Sequence, residues 1–142
     1  MKIVIGSDHA GFTYKREIIA QLRAKDITVV DVGTDSEAPI SSVPFCREVA
    51  EGVASGKFDR GIVVGGSGNG EAMAANRVKG VRCALCWSAD SAKLARQQQD
   101  ANVLALGERL IDLRTALAIL DAFLNTPFDD IRFEDRVAEL DA

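Results

Sequence analysis

The sequence predicts an α/β sandwich built on a five-stranded, mostly parallel sheet. Five short runs rich in β-branched residues alternate with longer amphipathic stretches, and several of the runs are continuously apolar. Repeated strand–helix alternation is the pattern of a parallel sheet, and continuous apolar runs mark strands covered on both faces. Length is the third observation. A chain of 142 residues suits one core, which at this size buries roughly 70% of the unfolded surface. No repeat, low-complexity tract or linker divides residues 1–142, so one domain is expected.

The expected strands are Lys2–Gly6, Thr28–Val32, Gly61–Val64, Arg82–Cys86 and Asn102–Leu106. Between and after them lie helix-length segments at Thr13–Ala24, Phe45–Ser55, Gly70–Val78, Ser88–Gln99 and Leu113–Leu124. In the final stretch, Ile131–Leu140, residues Phe133, Val137 and Leu140 fall at i, i+4 and i+7, the spacing of an amphipathic helix. No sixth strand follows it, so this helix is expected to cross a subunit boundary. The least regular segment, Gly33–Pro44, is expected as a surface loop near the site.

Composition removes several classes of function. With 17 Lys+Arg against 21 Asp+Glu and a net charge of −4, the chain has no electrostatic footprint for nucleic acid or an anionic membrane. One His and three scattered Cys leave no room for a multi-His zinc site or a disulfide scaffold. Cys83 and Cys86 fall in an expected strand, where residues three apart face opposite ways. Both are read as core rather than as a redox pair. The apolar run within Met1–Gly6 is too short for a signal peptide or a membrane span, and a reduced, cytoplasmic protein is expected.

Ligands of open parallel sheets bind at the carboxyl ends of the strands. Three segments there are polar or glycine-rich: Gly6–Gly11 (GSDHAG), Gly65–Gly70 (GGSGNG) and Gly107–Arg109 (GER). GGSGNG lacks the Lys-Ser/Thr pair of a P-loop and does not match GxGxxG. A tight turn without a ligand is the plainer reading. Four glycines with Ser67 and Asn69 in six positions favour a loop whose N–H groups converge on an anion. Glu71 follows in the first helical turn, where a carboxylate also simply suits the helix dipole. A base beside a nest of donors suits proton abstraction α to a carbonyl, because the developing oxyanion needs those donors. Asp8 reads as a helix cap, and His9 stands at a strand's carboxyl end, where structural and functional readings are evenly matched.

Four segments in order, GSDHAGF (Gly6–Phe12), DVGTDS (Asp31–Ser36), GGSGNGEAMAANRV (Gly65–Val78) and DANVLALGERL (Asp100–Leu110), resemble the type B ribose-5-phosphate isomerase family, which includes galactose- and allose-6-phosphate isomerases. The resemblance runs from Met1 to about Val137. It implies a Rossmann-like three-layer α/β/α fold, a homodimer or dimer of dimers, no metal or other cofactor, and a small phosphorylated sugar as substrate. The implied reaction is aldose–ketose isomerisation through a cis-enediolate. In one branch of the family a cysteine opens the loop and moves the proton; that position here is Gly65. In the other branch the loop reads GGSGNGE, as here, and the glutamate is the base, which makes Glu71 the implied base. Ser67 and the N–H groups of Gly66, Gly68, Asn69 and Gly70 are then implied to stabilise the enediolate oxygens. Asp8 and His9 match positions holding substrate hydroxyls or phosphate. Arg109, Arg132 and Arg136 match phosphate ligands, the last two from the neighbouring subunit. Arg132 and Arg136 lie one helical turn apart and can meet one anion; the alternative is pairing with the acidic residues around them.

The chain departs from the family pattern at several positions. The ring-opening histidine corresponds to Gln98, and a neighbouring asparagine to Gln99. Glutamine hydrogen-bonds a sugar oxygen but exchanges no proton near neutral pH. Ser42–Val43 replaces a Tyr-Pro, Phe45 a tyrosine, Phe133 a histidine and Asp135 a basic residue. Three readings follow in order: His9 takes over ring opening on ribose 5-phosphate; the substrate cannot cyclise, as with a tetrose 4-phosphate; or the protein binds sugar phosphates with little catalysis. A response-regulator-like or nucleotide-binding module would want an acidic cluster after the first strand and a lysine ending the fifth. The chain offers only Asp8 and Gly107–Arg109 there.

Overall fold

The computed structural model describes residues 1–142. The strands are β1 (Lys2–Ser7), β2 (Thr28–Asp31), β3 (Arg60–Gly65), β4 (Cys83–Leu85) and β5 (Val103–Gly107). The helices are α1 (Phe12–Ala24), α2 (Val43–Ala54), α3 (Asn69–Ala75), α4 (Ala89–Gln99), α5 (Leu113–Asn125) and α6 (Glu134–Asp141), with 3-10 turns at His9–Gly11 and Ile131–Phe133. Every expected element is present, and the sheet is parallel throughout.

Strand order is β2-β1-β3-β5-β4. The chain steps outward from β1 to β2, then crosses back to β3 on the other side of β1. Adjacent parallel strands whose connections leave in opposite directions open a crevice at their carboxyl ends. Here that crevice lies between β1 and β3, where Ser7 sits opposite Val64. The loops after it are Asp8–Gly11 and Gly66–Gly68.

Period-two alternation divides the core between the faces. Ile3, Ile5, Ile62, Val64, Leu104 and Leu106 pack under α1, α4 and α5. Val4, Val63, Val103 and Ala105 pack under α2 and α3. Cys86 joins the first cluster and Cys83 lies against the second, which separates the two thiols across the sheet as their spacing requires. Cys46 is fully buried.

Two elements differ from the sequence expectation. β2 is an edge strand with mostly exposed residues, because only one neighbour and few helix contacts cover it. The final helix starts three residues late, after a 3-10 turn, and none of its residues is buried. It rests against the end of α4 and is tied to the sheet by Arg82 and Asp141 at 2.6 Å. Leu140 stays 60% exposed and Ile131 76% exposed, so the expected apolar stripe finds no full cover within one chain.

A buried lysine controls the loop between β2 and α2. Lys15 on α1 is 1% exposed and pairs with Asp31 at 3.0 Å. Its ammonium also donates to the Thr34 carbonyl. Burying a charge is costly unless it is paired and hydrogen-bonded, so this contact pins the start of the loop to α1.

Candidate active site

At the crevice, Asp8, His9, Ala10, Gly66, Ser67, Glu71, Arg109 and Leu110 line a cleft of about 390 Å³. All three polar segments contribute to it. The β5 loop is zipped onto the glycine loop, with Glu108 N–H donating to Gly65 O at 2.8 Å and Arg109 N–H to Gly66 O at 3.0 Å.

Gly68 has φ +79 and stands at the N-terminus of α3, a backbone conformation that favours glycine. Glu71 follows in the first turn, only 6% exposed. Burial and the nearby Asp8 carboxylate raise its pKa above 4.5, while the Ser42 hydroxyl and the N–H groups of Glu71 and Gly68 pull it back. Ser42 Oγ donates to Glu71 Oε2 at 3.3 Å. The carboxylate fills the space beside Gly65: a Cβ built at residue 65 would lie 1.5 Å from Glu71 Oε1. Any side chain at residue 65 therefore competes with this carboxylate for one position.

The donors of the glycine loop are not equivalent. Asn69 N–H is spent on Ser67 Oγ at 3.2 Å, and Gly68 N–H lies against the Glu71 carboxylate. The N–H groups of Gly66 and Gly70 have no partner in the protein, and Ser67 keeps its hydroxyl proton to donate. Of the four N–H groups expected to face an oxyanion, two are free.

Asp8 does cap the turn after β1. Its Oδ1 accepts from Ala10 N–H at 2.9 Å and Gly11 N–H at 3.1 Å, leaving Oδ2 without a protein donor. His9 Nδ1 accepts from Ile40 N–H at 3.1 Å, which assigns the ring proton to Nε2. Arg109 forms no ion pair within 4.0 Å and passes over Gly66, so its guanidinium is available to a ligand in the cleft, with the Glu108 carboxylate nearby. Burial and the neighbouring Glu71 and Asp8 push the Cys46 thiol up to about 12, which keeps it neutral.

Four expected site residues lie elsewhere in the chain. α4 runs back from the carboxyl end of β4, so Gln98 and Gln99 at its last turn sit at the far end of the sheet. Gln99 lines a different cavity with Arg82 and Leu140. Arg132 pairs with Asp130 at 2.5 Å, the plainer of its two readings, and Arg136 forms no ion pair. Both guanidinium groups stack on Phe133, at 5.6 and 5.1 Å from its centroid. None of the four lines the Glu71 cleft. The Gly33–Pro44 loop, expected near the site, brings to it Ser42, which the sequence marks only as a departure from the family's Tyr-Pro, and the Ile40 amide, which carries no sequence signal.

A doubly wound sheet with a carboxylate, free N–H donors and an arginine at its switch point defines a small-molecule α/β enzyme whose cleft suits an anionic ligand. The profile of the Ribose/Galactose Isomerase family matches residues 3–140, and the chain belongs to that family. A ribose-5-phosphate isomerase B from Mycolicibacterium paratuberculosis is 44% identical over 129 residues, 90% of this chain and 81% of that one. The Clostridium thermocellum ribose-5-phosphate isomerase B superposes with a TM-score of 0.96 at 44% identity, covering 99% of this chain and 95% of that one. The Mycoplasma genitalium enzyme, solved with bound ribulose-5-phosphate, gives a TM-score of 0.94 at 39% identity, covering 98% and 93%. No helix is long and apolar enough to cross a membrane.

Proposed function

We propose that this chain interconverts ribose 5-phosphate and ribulose 5-phosphate, with Glu71 as the base, in the branch of the family that uses glutamate rather than cysteine. The observation that carries the reading is the buried Glu71 carboxylate, seated in the space that a side chain at Gly65 would need. In the open aldose, Glu71 takes the proton from C2 and returns it to C1, while a second proton passes from O2 to O1. The intermediate is a cis-enediolate. Ser67 Oγ–H and the N–H groups of Gly66 and Gly70 stabilise its oxygens as charge develops there.

Ring opening falls to His9 and Asp8. Asp8 Oδ2 accepts the proton of the anomeric hydroxyl, and His9 Nε2–H hydrogen-bonds the ring oxygen, which takes up a proton from water as the C1–O bond breaks. Arg109 holds the phosphate. Arg132 and Arg136 complete that subsite from a second copy of the chain, and Gln98 and Gln99 reach a cleft by the same route. The active form is then a homodimer or a dimer of dimers, with each 142-residue chain a single isomerase domain.

Gln98 favours a second reading, because a residue that exchanges no proton suits a substrate that never closes a ring. Comparing turnover of ribose 5-phosphate and erythrose 4-phosphate, in wild type and in Gln98→His, separates the two. Strong wild-type turnover of ribose 5-phosphate is expected. Turnover of ribose 5-phosphate only in Gln98→His would instead assign the tetrose.

A further inference from the structure

We propose that Ser42 is a positioning residue for Glu71, its hydroxyl holding the carboxylate in the orientation that faces the cleft. This rests on the reading of Glu71 as the base.

Ser42 occupies the N-cap of α2, where serine ordinarily accepts a hydrogen bond from the N–H two or three residues on. Ser42 makes no such bond. Its backbone is in the αR region, with φ −77 and ψ −24, rather than the extended conformation usual for a capping serine. Pro44 at the start of the helix removes one of the N–H groups a cap would satisfy. The hydroxyl instead donates across the fold to Glu71 Oε2 at 3.3 Å.

The loop that carries Ser42 is tied at both ends of its path. Lys15 grips its start through Asp31 and Thr34, and Ile40 N–H grips His9 Nδ1 near its end. One segment therefore orients both His9 and the base. The charged or titratable groups around the carboxylate are Asp8 after β1, Cys46 on α2 and Cys83 on β4, with His9 and Arg109 across the cleft. Among the side chains acting on Glu71, Ser42 is the donor that favours its ionised form. Losing it leaves only the N–H groups of Glu71 and Gly68 to offset burial and Asp8.

Ser42→Ala and Ser42→Thr test this together, since threonine keeps the hydroxyl. In Ser42→Ala, kcat for ribose 5-phosphate is expected to fall about 5- to 10-fold at neutral pH with KM little changed. The ¹³C-carboxyl resonance of Glu71, recognised by its absence in Glu71→Gln, should titrate about one pH unit higher. Ser42→Thr should restore both. Because no helix cap is lost, the melting temperature should stay within about 2 °C of wild type below the ordinary carboxylate range, and fall by about 3–5 °C at pH 7 through the raised Glu71 pKa. An unchanged Glu71 titration in Ser42→Ala overturns the proposal, as does a threonine variant that behaves like alanine. If Ser42→Ala changes nothing while Glu71→Gln is inactive, only the role of Ser42 fails. If Glu71→Gln still turns over, the base itself is misassigned.

Discussion

Glu71→Gln is expected to lower turnover of ribose 5-phosphate by at least about 10³-fold while leaving sugar-phosphate affinity nearly intact. The amide keeps the size of the side chain but accepts no proton, and the binding groups Arg109, Ser67 and Asp8 are untouched. Wild-type activity should rise with pH through a midpoint above 4.5, because the base must be ionised and its pKa is raised. Stability moves in the opposite sense. The native state holds the Glu71 proton to higher pH than the unfolded chain does, so stability falls as pH rises from the ordinary to the raised pKa. Glu71→Gln removes that cost and should melt at a higher temperature than wild type at pH 7. The gain should vanish below the ordinary carboxylate range. Steady-state kinetics and thermal melts across pH check the two halves independently.

Gly65→Ala is expected to be nearly as damaging, although residue 65 contributes no chemistry. The new Cβ would stand 1.5 Å from Glu71 Oε1 and 2.2 Å from its carboxyl carbon. Contacts that short are not accommodated by small shifts, so the carboxylate must leave its seat between Gly65 and Ser42. The expected result is a loss of about 10²-fold or more in kcat, since misplacing a catalytic group by an ångström costs on that order. KM should change less, because Arg109 and the Ser67 hydroxyl lie outside the collision. Retention of wild-type kcat in a folded Gly65→Ala protein would mean that the seat of Glu71 does not matter. A crystal structure of the variant would show the displaced carboxylate directly.

Much of the architecture was legible because it is written locally. Continuous apolar runs such as those in β3 and β5 read directly as covered parallel strands, and the glycine loop lies where β3 ends. The location of the cleft followed from the rule that ligands gather at carboxyl ends. The arrangement within it was less accessible. Ser42 and Glu71 are 29 residues apart, and nothing in the local sequence says that an N-cap serine turns away from its helix. The division of labour among loop donors depends on where one carboxylate settles, which only three-dimensional contacts reveal. The C-terminal helix was legible as a helix, but its packing partner was not. Its periodicity is real, yet its apolar residues lie largely uncovered, so a helical pattern alone does not identify what packs against it.

On this mechanism the cleft moves a proton between neighbouring carbons of a sugar phosphate by way of a protein base. Ribose 5-phosphate labelled with deuterium at C2 tests it most directly. Conversion should show a primary isotope effect, and part of the label should pass to solvent water while the remainder reaches C1 of ribulose 5-phosphate. Both should disappear with turnover in Glu71→Gln. Complete retention of deuterium at C1 at every pH, as a hydride shift would give, would contradict the account, and so would the absence of any ketose product.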